Sequence, residues 1–343
     1  NVALPLGLGL VSALLFVATV ACTAAFGQSP SALDGFNPDV DGNVYALATQ
    51  ADGKIIVGGQ FSTLRSPTGD SFARSNLARL NVDGSVDTSF NPSANGPVRA
   101  IIVQGDGRIL IAGDFTTLQP GGTGATVSRG LVARLNANGS VDAGFNPNLS
   151  GSLLPQVYAL ALLPNGQVVA GGSFTRAQPN GAAAATTRNY LARFNADGSL
   201  DNGYNPNPNG IVLALALHEA GKLVIGGGFT SLQPAGDSGA STRNRIARLN
   251  PNGTVDSEFN PDANDGVTSL AVQRDGKIVL GGYFTTLQPI GDVSPATRQR
   301  IARLNVDGSL DSEFNPRANG SVLAVAVQPD GGILVGGSFT ALW

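Results

Sequence analysis

Apolar residues along the chain fall into short runs of period two, and the runs return at a fixed interval. Val44-Tyr45-Ala46-Leu47-Ala48 and Val322-Leu323-Ala324-Val325-Ala326 alternate small with large side chains, the spacing of a β-strand rather than a helix. The recurrent alanines place this strand, A, where neighbouring units crowd together. A second run, B, such as Lys277-Ile278-Val279-Leu280, ends in Gly281-Gly282 with Phe284 two places on. Side chains missing at a strand end predict a bend or a close backbone approach. Between A and B stand Gln50-Ala51-Asp52-Gly53-Lys54 and Leu163-Pro164-Asn165-Gly166. Pro, then Asp or Asn, then Gly specifies a type I turn closed by a left-handed glycine, so A and B form a bulged hairpin.

A third run, Ile246-Ala247-Arg248-Leu249-Asn250, leads through Pro251-Asn252-Gly253 into a short fourth run from Val255 to Phe259. The same turn chemistry predicts a second hairpin, strands C and D, with Leu249 facing Val255 and Arg248 facing Asp256. Arg79 with Asp87, Arg134 with Asp142, Arg193 with Asp201 and Arg303 with Asp311 repeat that pair. Opposed charges on adjacent strands contribute roughly 0.2 to 1 kcal/mol, which makes the arginine a strand clamp. The segments between B and C, for example Thr230 to Asn244, are so rich in Gly, Pro and Ser that surface loops without regular structure are expected.

Aligned on the phenylalanine after the double glycine, Phe61, Phe115, Phe174, Phe229, Phe284 and Phe339 recur every 54 to 59 residues. Fixed-period self-similarity of four short strands describes the blade of a β-propeller. Six A–B hairpins meet only five C–D hairpins, and the chain stops at Trp343 in the loop leading to a sixth strand C. The expected fold is all-β, a propeller of about six four-stranded blades with the last incomplete, in a fragment cut at both ends. Strand B from Gly332 to Phe339 is expected to be exposed or to pair with Leu33 to Phe36, which resembles a strand D.

Phe-Asn-Pro at Phe36, Phe90, Phe145, Phe259 and Phe314, with Asp-Gly-Lys, Gly-Gly-x-Phe-Thr and Ala-Arg-Leu-Asn-x-Asp-Gly-Ser, resembles the delta-60 repeat family of bacterial β-propellers, whose blades are kelch-like. The likeness runs from about Leu33 to the end. It implies an exported or surface protein and carries over no catalytic residue and no cofactor. Tyr204 replaces Phe, Phe194 replaces Leu, and Asn148 to Gln156 is a longer connector than its counterparts.

Composition adds an address. Asn1 to Phe26 holds no charge and the first basic residue is Lys54, so residues 1–27 are expected to be a secretory signal cleaved near Gly27, ahead of a propeller domain over 28–343. A membrane anchor and a lipoprotein signal acylated at Cys22 are the other two readings. Beyond that segment the chain has no Cys and no Met, and its formal charge is only −3. That excludes a disulfide scaffold, a thiolate metal site and a basic footprint for nucleic acid. A protein or glycan partner is expected, no nucleic acid, membrane contact only through the N-terminal segment, and a secreted or cell-surface location.

Chemistry-bearing residues are few. Asn81, Asp83, Ser85 and Asp87 alternate like a calcium loop, but glycine stands fourth rather than sixth and no terminal Glu follows, so no metal is expected. His218, the single His, replaces the glutamine that opens the A–B turn at Gln50, Gln104, Gln273 and Gln328. Tyr45 and Tyr158 suit sugar stacking, yet Arg99, Leu213, Thr268 and Leu323 occupy the equivalent places, which favours packing. No catalytic and no cofactor-binding residue is assigned. Near-identical repeats supply rings of like residues, so the reading is a non-catalytic exported binding or structural module. The alternative is an extracellular polysaccharide hydrolase or lyase with several carboxylates at the axis. The long B–C segments vary most between repeats and share one face, where recognition belongs. On them, Arg188, Arg243 and Arg298 either contact a partner or brace their own loops.

Overall fold

The structure, a computed structural model, describes residues 38–66 and 69–343. Residues 1–27, expected to be a signal, with Cys22 among them, and Leu33 to Phe36 lie outside the described residues. Strand A is Asn43–Thr49, Val98–Val103, Val157–Leu162, Val212–Leu217, Val267–Val272 and Val322–Val327 in blades 1 to 6. Strand B is Ile55–Gln60, Ile109–Gly113, Val168–Gly172, Leu223–Gly227, Ile278–Gly282 and Ile333–Gly337. Strand C is Leu77–Leu80, Val132–Leu135, Leu191–Phe194, Ile246–Leu249 and Ile301–Leu304. Each of the first five sheets is antiparallel with B in the middle, and among the described residues the sixth holds A and B alone. The A strands of successive blades pack against one another, as an axis requires. Their small residues, Ala46, Ala100, Ala159, Ala214 and Ser269, are buried there, and the Ser269 hydroxyl accepts the Val325 N–H of the next blade at 2.9 Å.

Both glycines of the pair have a steric cause. A Cβ on Gly171 would come within 2.7 Å of Val212 Cγ1 in the next blade, and one on Gly172 would overlap the Gln156 carbonyl oxygen across the hairpin. The first spacing brings blades together, and the second follows from the bulge between Val157 and Ala159.

Strand D is shorter than the pattern suggests. Leu249 and Val255 form an isolated bridge, as do Leu80 with Val86, Leu135 with Val141, Phe194 with Leu200 and Leu304 with Leu310. The expected register therefore holds, but Asp256 turns its side chain back to Arg248 and the chain bends away. The B–C segments differ in the other direction, and the expectation of irregular loops is corrected. Thr63–Arg65 pairs with Ser71–Ala73 and Ser231–Leu232 with Ser241–Thr242, with like hairpins in blades 2, 3 and 5. In blades 1, 2, 4 and 5 a side-chain cap from outside the segment fixes the start of the hairpin, and in blade 3 the Ser150 carbonyl accepts the Thr175 N–H instead. Asn209 Oδ1 accepts the N–H groups of Thr230 and Ser231 at 2.8 and 3.0 Å, while its Nδ2 donates to Thr230 Oγ1. Asp41, Asn95, Asn264 and Asn319 take the same part in their blades.

At the periphery the Arg–Asp ladder has all five rungs. Arg79, Arg134, Arg193, Arg248 and Arg303 donate from Nε to their aspartates at 2.7 to 2.9 Å. The clamp also reaches between blades. Arg79 and Arg134 donate from Nη1 to the Ala137 and Ala196 carbonyls in the next C–D turn. Each guanidinium lies over the aromatic ring of its Phe-Asn-Pro or Tyr-Asn-Pro motif, 3.9 to 4.6 Å from the centroid. That ring meets the next blade's turn glycine, as Phe90 meets Gly139. Lys54, Lys222 and Lys277 from the A–B turns complete the charge by bonding the same carboxylates.

Candidate functional site

The B–C loops and D–A connectors share one face, and the axis opens on it between the starts of the A strands and the ends of the B strands. Two positions per blade border this mouth: the second residue after the strand A entry and the residue after the glycine pair. They read Tyr45 and Gln60, Arg99 and Asp114, Tyr158 and Ser173 in blades 1 to 3. In blades 4 to 6 they read Leu213 and Gly228, Thr268 and Tyr283, Leu323 and Ser338. Half of the mouth is polar and aromatic, and the other half is mostly small or apolar.

The polar half is one connected cluster. Arg99 donates from Nε and Nη2 to the two Asp114 oxygens at 2.6 and 2.7 Å, a bidentate geometry that fixes the guanidinium plane. Tyr45 of blade 1 and Tyr158 of blade 3 flank that guanidinium, with ring centroids 5.0 and 5.4 Å from its carbon, within cation–π range. Asp114 Oδ2 also accepts from Gln156 Nε2 at 2.8 Å, and Gln156 Oε1 accepts from the Tyr158 hydroxyl. On the far side Tyr45 donates to Gln60 Oε1 at 3.0 Å. Burial works against the Arg99 charge, but the hydrogen bonds and charge of Asp114 outweigh it and raise the Arg99 pKa. Burial likewise raises the Tyr158 pKa, so its phenol is neutral at physiological pH. Sequence reading had met Tyr45, Tyr158 and Arg99 as mismatched members of a ring. The missed signal was that two tyrosines with an arginine between them form a stack.

Arg188, Arg243 and Arg298 lie in three separate blades and are not brought together. Arg188 donates to the Thr187 carbonyl and to Asn202 Oδ1, Arg243 to the Phe259 and Asp256 carbonyls, and Arg298 to the Thr297 and Asp311 carbonyls. Burial lowers their pKa values, and each fastens its B–C segment to the D segment of its own blade. His218 is buried, and its Nε2 donates to the Gly276 carbonyl of the next blade at 3.0 Å. Burial lowers its pKa, a shift that the Gly276 bond only partly offsets. Asn81, Asp83 and Ser85 stitch their turn together, with Ser85 donating to Asp83 and Asn81 to Ser85. Among the described residues no cluster of His, Cys, Asp or Glu could hold a metal ion.

Blade order, inner A strands and an axial mouth define a β-propeller. The comparison with solved structures agrees on the fold. The WD40 β-propeller domain of Doa1 shares 13% identity, with a TM-score of 0.51 over 87% of this chain and 90% of that one. Virginiamycin B lyase from Staphylococcus aureus also shares 13%, with a TM-score of 0.53 over 85% and 76%. Among curated proteins none matches the sequence. The chain belongs to the family described as "Domain of unknown function (DUF5122) beta-propeller", which it matches over residues 50–90, 104–145, 163–204, 221–259 and 273–314, the repeats that resemble the delta-60 pattern.

Proposed function

We propose that the protein is an exported, non-catalytic propeller that binds a protein or glycan partner at the cell surface or outside the cell. The observation that carries this reading is the contrast between its two faces. Short Asp-Gly and Asn-Gly turns of nearly uniform sequence cover one face, whereas B–C loops of varied sequence, held on rigid caps, cover the other. Variable loops on a fixed frame are where recognition is commonly placed. An axial hydrolase needs carboxylates free to exchange protons or attack. At the mouth, the Asp114 carboxylate is held by Arg99 and Gln156.

The test is to express the full chain in a bacterium, fractionate the cells and assay the purified product on soluble polysaccharides. Recovery outside the cytoplasm without new reducing ends or unsaturated products is expected. Cytoplasmic retention would overturn export, and released sugar would overturn the non-catalytic assignment. For the partner itself, replacing Thr230 to Asn244 with a short turn should abolish binding while the fold survives. Equal loss on altering only the turns of the opposite face would refute this placement.

A further inference from the structure

We propose that the polar half of the axial mouth is a binding site for a neutral saccharide chain, an inference that rests on the binding-module reading and names its ligand class. Three observations converge on that chemistry.

The first is charge. Arg99 is the cation of the cluster and Asp114 its counter-ion, joined by two hydrogen bonds. A phosphate or carboxylate ligand would approach a guanidinium already neutralised and a carboxylate that repels it. A neutral ligand meets no such opposition.

The second is the supply of hydrogen bonds. With Nε and Nη2 on Asp114, the Arg99 Nη1 has no partner among the described residues, nor is it among the buried unpartnered atoms. Gln60 is exposed and accepts from Tyr45 through Oε1, which leaves its amide N–H groups for a ligand. Planar guanidinium and amide edges beside one another can each meet adjacent hydroxyls, which donate as well as accept. The tyrosine stack holds the guanidinium in place beforehand, so little freedom is lost on binding.

The third is the division of the mouth. A sugar ring has hydroxyls on its rim and C–H groups on its faces. Leu213, Leu323 and Tyr283, the last 46% exposed, hold the equivalent positions in blades 4 to 6, together with Thr268 and the small Gly228 and Ser338. A site with few fixed polar groups beside apolar and aromatic side chains suits such a ligand. The members are half-buried and open to solvent, which fits a chain lying across the mouth.

The experiment is titration calorimetry of the purified full chain with cellohexaose, laminarihexaose, maltohexaose and chitohexaose, and with hexagalacturonate as the anionic arm. At least one neutral hexasaccharide should bind with a Kd below about 1 mM. Gln60→Ala, on an exposed residue, and Arg99→Ala should each weaken it about tenfold or more, the loss of a good hydrogen bond to a polar ligand. Thermal unfolding of Gln60→Ala should be unchanged, which separates a lost contact from a lost fold. Failure of all four neutral probes, binding of hexagalacturonate alone, or full affinity in Gln60→Ala and Arg99→Ala would each overturn the proposal. Binding accompanied by cleavage would uphold this site and overturn the non-catalytic reading, whereas no binding would remove the site and leave that reading standing.

Discussion

The outer ladder and the axial mouth solve opposite problems. At the periphery, five blades set the same three chemical parts in the same places: Arg on strand C, Asp after the turn and an aromatic ring beneath; in four of them a carbonyl of the next blade's C–D turn accepts from Nη1, and in the fifth Gln273 Oε1 of the same blade does. At the mouth no two blades carry the same pair of residues. Tyr45, Arg99, Tyr158, Leu213, Thr268 and Leu323 hold one structural position with four residue types. Identical parts in every blade belong to what every blade must do, which is pack on its neighbour. Parts that differ are free of that duty, so the mouth is where chemistry could be placed without cost to the array.

The largest effect expected from this contrast is at the ladder. Arg248 and Asp256 have side chains only 6% and 7% exposed. Asp256→Ala strands the buried Arg248 guanidinium and should cost about 3 to 5 kcal/mol in denaturant unfolding. Arg99→Ala, whose pair is 23% and 18% exposed, should cost about 1.5 to 3 kcal/mol, the range for hydrogen bonds to charged groups. Equal losses would erase the distinction between frame and mouth.

A smaller effect tests how blades meet. Gly171→Ala would press on Val212 of the next blade and should cost about 1 to 3 kcal/mol, as overpacking does. Blade 2 already carries Ala112 at this place, buried and paired with Ala100. Ala112→Gly should therefore change stability less than Gly171→Ala does. A larger loss at Ala112 would show that the glycine pair answers a backbone need and not contact between blades.

Much of this frame was legible in the sequence because it rests on local rules. Turn chemistry in Asn250-Pro251-Asn252-Gly253 placed Leu249 opposite Val255, and the structure has that bridge. Period-two runs gave strands A, B and C. What local reading missed depends on partners distant in sequence. The hairpin Ser231–Leu232 with Ser241–Thr242 is ordered by Asn209, 21 residues before Thr230. Arg79 reaches Ala137 across 58 positions, so a pairwise reading saw a strand clamp and not an inter-blade staple. The candidate site was harder still. Tyr45, Arg99 and Tyr158 become neighbours only when three blades wrap one axis, and their value lies in differing from one another.

Acid should weaken the ladder. The Lys277 hydrogen bond, against the cost of burial and helped by Arg303, lowers the Asp311 pKa to about 2. At Asp256 burial pushes upward, and bonds from Lys222 and Arg248 overcome it to leave the pKa lowered. A carboxylate with a lowered folded pKa contributes stability that is present above its unfolded value near 3.9 and lost as pH falls through the folded one. For Asp311 that window runs from about 4 down to about 2. Urea midpoints should fall steeply there, and Asp311→Asn, although less stable at pH 7, should show a shallower fall. An unaltered slope in Asp311→Asn would mean that the ladder is not the acid-labile element.

The smallest effect concerns a place where the frame itself departs from its pattern. His218 stands where Gln50, Gln104, Gln273 and Gln328 open the A–B turn elsewhere, buried beside Lys222 and Arg248, with Glu219 adjacent in the chain. Burial lowers its pKa, Arg248 and Lys222 lower it further, and the Gly276 bond and Glu219 act the other way. The neutral ring donates from Nε2 to Gly276, so Nδ1 carries no proton in the fold. A base whose folded pKa lies below its unfolded value near 6.5 binds fewer protons when folded, and stability falls as pH drops below that value. The loss should set in between about pH 7 and 5, above the window of the aspartates. His218→Gln restores the residue type of four other blades and removes the proton, so it should flatten the stability profile in that interval while leaving the fall below about pH 4 intact. Parallel profiles for the two proteins from pH 7 to 5, measured by urea unfolding, would show that His218 titrates alike in both states and that its burial does not govern its charge.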